Sequence, residues 1–184
     1  MRERIFSIIL RGLEHWTPPP LASWQLQVLL NTTARAFSRP GPSVWYLPCS
    51  QALRKYARFT KRCLESDNAS AQSLYRRFYA LGQRLRKITG FTDEQKLQRL
   101  VFYLYRNIRI SMSGQIPGTI SISSCYFSNY YTPEQCRLMS YADSGLIAGL
   151  YSGGILEFSE RITDGCRRCT ACFTKAQRYE TYIH

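Results

Sequence analysis

Residues 132–154 read TPEQCRLMSYADSGLIAGLYSGG, and residues 155–173 continue ILEFSERITDGCRRCTACF. Thr132 is an N-cap residue and Pro133 suits a first helical turn. Gln135 stands three places after the cap, where its side chain reaches back to close a capping box. A helix is therefore expected from 133 to about Tyr151, stopped by Gly153 and Gly154. Ile155 to Thr163 then reads as a strand, Asp164-Gly165 as a hairpin turn, and Cys166 to about Phe173 as a further strand. Upstream, Thr119 to Phe127 alternates with period two, as a half-buried strand does. Together these make a strand–helix–hairpin unit.

Before it the periodicity is helical. Pro18-Pro19-Pro20 is expected to end a first helix, because ring-locked residues lack the amide hydrogens a helix interior uses. A second apolar run extends from about Leu21 to Phe37 and stops at Arg39-Pro40-Gly41-Pro42. Ser50 is the expected cap of a third helix with Leu53, Tyr56, Phe59 and Cys63 inward. A fourth carries Leu74, Phe78, Leu81 and Leu85 to Gly90. Thr92 and Gln95 suggest a capping box for a fifth, with Leu97, Leu100, Val101 and Leu104 inward. The fold class is α+β. An N-terminal half of four or five helices (1–110) packs with the C-terminal unit (111–184), the two forming one compact domain.

The 184 residues carry 25 Lys+Arg against 12 Asp+Glu, a formal net charge of +13. Residues 1–110 hold 19 basic and 6 acidic side chains, and residues 111–184 hold 6 of each, so the whole excess lies in the helical half. Five of the seven cysteines lie in the neutral half. With 45% hydrophobic residues the chain can bury a core, which argues against disorder. No run approaches the roughly 18 apolar residues of a membrane span. Ser7 and Arg11 interrupt the N-terminal apolar run, against a secretory signal, so a cytoplasmic protein with reduced thiols is expected. Arg2, Arg4 and Arg11 beside Ile5, Ile8, Ile9 and Leu13 fit a docked amphipathic helix or one resting on an anionic membrane. Arg54, Lys55, Arg58, Lys61, Arg62, Arg76, Arg77, Arg84, Arg86 and Lys87 lie between the apolar stripes. They suit a solvated surface, attraction of small anions, or phosphate contacts. No recognition helix, zinc finger or aromatic RNA-binding signature accompanies them, so nucleic acid is not the expected ligand.

At 100° per residue, Met139, Leu146, Ile147 and Leu150 share one arc of the 133–151 helix, with Cys136 and Asp143 between them. A carboxylate in an apolar stripe costs several kcal/mol unless paired or protonated. Asp143 is thus either a catalytic or ligand-binding carboxylate or a buried structural partner. Cys136 lies near the helix start, where the positive end of the dipole favours thiolate. It is a candidate nucleophile, or a small core residue. The only histidines are His15 and His184, so a base would come from Asp143, Glu157, Glu160, a tyrosine or water. Cys166, Cys169 and Cys172, with Cys125 and Cys136 as outlying ligands, have spacings seen in zinc or iron–sulfur sites. Strand alternation would instead send Cys169 to the face opposite Cys166 and Cys172. Pairing of Cys125 with Cys169 or Cys172 across neighbouring strands is equally open.

The stretch from Cys125 through Cys136, then Asp143, Leu156-Glu157-Phe158, Arg161 to Gly165 and Cys169 to Phe173, resembles the L-2-amino-thiazoline-4-carboxylic acid hydrolase-like family. More distantly, it is similar to the 4-vinyl reductase-type small-ligand domains. The likeness covers residues 119–173. It implies a small-molecule pocket between helix and sheet, and hydrolytic opening of a sulfur–nitrogen heterocycle or related C–N chemistry without a cofactor. In that light Cys136, Asp143 and Glu157 are the catalytic candidates, and Arg161, Cys125 and Tyr126 would hold a substrate, with Arg161 gripping a carboxylate. A non-catalytic ligand or metal module, and a basic nucleic-acid or membrane-surface binder, are the alternatives.

Overall fold

The structure is a computed structural model that describes residues 19–65 and 70–176. The amphipathic segment before Pro18 and both histidines lie outside the described residues. The helical half comprises α1 (Pro19–Ala36), α2 (Cys49–Leu64), α3 (Ala71–Thr89) and α4 (Glu94–Asn107). The remainder runs β1 (Ile110–Gly114), β2 (Gly118–Cys125), α5 (Pro133–Tyr151), β3 (Ile155–Glu160) and β4 (Cys169–Thr174). This is the expected α+β arrangement, helices first and strands last. No helix among the described residues is long and apolar enough to cross a membrane.

The helix ends differ from expectation in instructive ways. Pro19 and Pro20 belong to α1, because a missing N–H costs nothing in a first turn. Helix α2 follows Pro48 with no side-chain cap, displacing Ser50 from that role. At α4 the cap is Asp93, whose carboxylate accepts from the Lys96 amide at 3.0 Å, and not Thr92. Helix α3 ends as read, on Gly90 in the left-handed region at φ 73°. Helix α5 carries the full capping box: the Gln135 amide donates to Thr132 Oγ1 and the Thr132 amide to Gln135 Oε1.

All strand pairs are antiparallel, in the order β1-β2-β4-β3. Strand β1 is additional to those expected. Its sequence, Ile110-Ser-Met-Ser-Gly114, is too short and polar to announce itself, and it completes a hairpin with β2. The last two strands are shorter than expected. Backbone from Ile162 to Asp164 forms a 3-10 turn, and Cys166 falls in the connection before β4.

One apolar face of the sheet, with Ile120, Ile122, Leu156, Cys169, Ala171 and Phe173 buried, meets the helices. Helix α4 packs on β1, and α5 packs on β3, α4 and α3. The core is continuous from Leu26 in α1 to Phe173 in β4. Contact between α3 and α5 is backbone to backbone. A Cβ on Gly145 would lie 2.3 Å from the Tyr75 carbonyl oxygen, and one on Gly149 would lie 2.2 Å from that of Tyr79. Arg86 of α3 also donates to the Leu150 carbonyl at 2.8 Å, satisfying one of the acceptors a helix C-terminus leaves open.

Candidate functional site

Two positions on α5 face the end of the sheet. Asp143 is partly buried, and the Tyr105 hydroxyl of α4 donates to its Oδ1 at 2.7 Å. Burial pushes its carboxyl up to about 6, while the Tyr105 hydrogen bond and the Arg161 charge oppose the rise. Asp143, Tyr105, Ile120, Leu156 and Phe158 line a cavity of about 10 Å³ between helix and sheet. That is room for roughly one water. Helix and sheet leave a narrow seam here, too small for an organic ligand.

Cys136 is the fourth residue of α5, and its amide already bonds to the Thr132 carbonyl. The dipole advantage expected of a first-turn thiol is therefore outweighed. Burial raises the Cys136 thiol above its ordinary value, and Asp143 and Cys169 add to the rise. The Thr163 hydroxyl and the Arg161 charge work against it. Cys136 and Asp143 are seven residues apart on one helix, about 10 Å of rise, and no hydrogen bond links them. Asp143 reaches the thiol only through an intermediary.

The β3–β4 connection supplies the rest. Arg137 in the first turns of α5 bonds Asp164 at 2.9 Å and so holds the 162–164 turn over the start of the helix. This places Thr163 beside the Cys136 thiol. The Arg161 guanidinium lies 4.8 Å over the Phe158 ring, with its charge felt by Asp143, Cys136 and Cys169. Arg161 Nε is buried without a hydrogen-bonding partner, and the buried Thr163 Oγ1 has no oxygen or nitrogen partner, only the neighbouring Cys136 thiol. Cys169 is buried and accepts from the Ile162 amide at 3.3 Å. Cys125, at the end of β2, is close enough for Asp143 and Cys136 to influence it, and burial raises its thiol to about 12.

The structure thus gathers Cys136, Asp143, Arg161, Cys125 and Cys169. It does not gather Glu157, Tyr126, Cys166 or Cys172. Glu157 is exposed on the outer face of the sheet, opposite Cys172 across the β3–β4 ladder. Tyr126 belongs to a separate group in which its hydroxyl meets Tyr130 at 3.0 Å and its ring lies under Arg109. The metal alternative also fails to assemble. Residues three apart on a strand take opposite faces, so Cys169 is buried while Cys172 is exposed. Cys125 lies three residues beyond Ile122, the β2 partner of Cys169, so no cross-strand cysteine pair forms. Among the described residues no three or more His, Cys, Asp or Glu side chains are placed to hold a metal ion, and all seven cysteines are free thiols.

Tyr105 and Thr163 were not candidates from sequence. Tyr105 continues the Leu97–Val101 stripe by one turn, which is the signal that could have paired it with Asp143. Thr163 had no signal, since it was read as the end of a strand. No protein-family model and no curated protein matches this chain.

Proposed function

We propose that the chain takes a small organic acid or related heterocycle beside Cys136, Thr163 and Arg161, and acts on it by cysteine-dependent hydrolysis. The observation that carries this reading is the buried, unpartnered Arg161 Nε close to the Cys136 thiol, which the Thr163 hydroxyl adjoins. Buried polar atoms without partners are few in native proteins and mark places where a ligand or water completes the set. Arg161 supplies the charge and fork geometry for a carboxylate. The resemblance of residues 119–173 to the thiazoline-carboxylate hydrolase-like family points to the same substrate class. In the corresponding step the thiol adds to the electrophilic ring carbon. The ring C–N bond then opens with the proton going to nitrogen, and water displaces the sulfur to restore the thiol. Seven unbridged thiols favour the cytoplasm as the compartment.

The raised Cys136 thiol favours a second reading, ligand binding without turnover. One experiment separates the two. Full-length protein is incubated with a 2-aminothiazoline carboxylate, binding is followed by calorimetry, and ring opening is followed by chromatography. Hydrolysis predicts turnover that Cys136→Ser abolishes with binding retained, and that Arg161→Met abolishes along with binding. Binding without product supports the second reading. Absence of binding by this compound and by a panel of small carboxylates would sink both.

A further inference from the structure

A second cavity shares no lining residue with that site. An open cleft of about 670 Å³ runs along α2, lined by Arg54, Lys55, Arg58, Lys61 and Arg62. Leu47 and Gln51 form its near end, and Glu65 is the one acid in its wall. From Arg54 to Arg62 the cations span about 12 Å of helix axis. Ion pairs between described residues join Arg137 to Glu134 and Asp164, and Lys175 to Glu94. None of the five cleft cations is neutralised by a carboxylate of a described residue. Two are held in place, Lys55 by a 3.1 Å bond to the Ser43 carbonyl and Arg54 by the Tyr126 hydroxyl.

We propose that this cleft is a binding site for a ligand bearing two or more phosphates. Five like charges gathered in a concavity repel one another, and a multivalent anion relieves that repulsion while its oxygens accept from the guanidinium and ammonium groups. A single phosphate would engage only part of a 12 Å row of donors (about, by helix rise), so the spread selects for more than one. The volume lies within the range of small-ligand pockets, roughly 300–1,000 Å³. The exposed aromatic pair nearby, Trp45 and Tyr46, is set edge to face at 86°. It gives no parallel platform for successive bases of a single strand.

The test is calorimetric titration of the full chain at 150 mM salt (about physiological, where exposed charges are screened beyond roughly 8 Å). Tripolyphosphate, orthophosphate, vesicles bearing a bisphosphorylated inositol headgroup and a single-stranded oligonucleotide are the probes. Tripolyphosphate is expected to bind one to one and about tenfold or more tighter than orthophosphate. The pair Arg58→Gln and Arg62→Gln, both at exposed helix positions, is expected to remove that binding. Arg84→Gln with Lys87→Gln on α3 makes the same change in net charge and is expected to leave it intact. Equal headgroup binding on vesicles would identify a lipid as the source of the phosphates. Loss with both pairs, no preference over orthophosphate, or tighter binding of the oligonucleotide would overturn the proposal.

Discussion

Asp143 is the residue on which the site's electrostatics turn. Its carboxyl titrates near 6 in the folded chain because burial penalises the charged form. The folded state therefore binds a proton more tightly than the unfolded state does. Stability is fully unaffected by this group below the ordinary carboxylate value, falls as pH rises from about 4 to 6, and stays reduced above that window. Asp143→Asn keeps an acceptor for Tyr105 and removes the charge. At pH 7 it is expected to stabilise the protein by on the order of 2 kcal/mol, with the difference vanishing near pH 4. Denaturant unfolding of both proteins across that range checks it. An unchanging difference would mean that the carboxylate is solvated. Asp143 was legible in the sequence because an acid in an apolar stripe is conspicuous. The state of Cys136 was not, because burial by the 162–164 turn depends on Arg137 meeting Asp164, a contact 27 residues apart that no local pattern encodes.

Among the elements, α5 was the easiest to read and carries most of the fold. Its cap, first-turn proline and terminal glycines all agree, so local signals and tertiary packing point the same way. Its glycines carried a second message that periodicity missed. Gly145 and Gly149, one turn apart, let α3 approach until its carbonyls touch the helix. Gly149→Ala would place a methyl against the Tyr79 carbonyl, which belongs to a helix and cannot rotate away. A loss of about 1–3 kcal/mol is expected, despite the higher helix propensity of alanine. A gain in stability would show that the helices separate cheaply. The cap at Asp93 escaped the sequence for a different reason: Thr92 beside it offers equivalent chemistry, and the choice between them is made by packing.

Across the whole molecule, charge and chemistry are segregated. The excess of +13 arises in the helical half, and part of it lines a cleft on α2 that shares no residue with the Cys136 cluster. Cys125, Cys136, Cys169 and Asp143 sit in the neutral half, between α5 and the end of the sheet. Sequence division by charge located that half. It could not single out the cleft, because helical periodicity marks every solvent-facing stripe of a helix alike. The family resemblance grouped Glu157 with the site and the metal alternative included Cys172, though strand alternation places both on the outer face.

The central claim is that Arg161 guides an anionic small molecule to Cys136. Its most direct test compares the rates at which iodoacetate and iodoacetamide alkylate Cys136 at pH 8, read by peptide mapping so that the other six thiols serve as internal references. Faster modification by the carboxylate reagent at Cys136 alone, with the preference lost in Arg161→Met, is the expected result. A preference for the neutral amide at Cys136, or one unchanged in Arg161→Met, would contradict it.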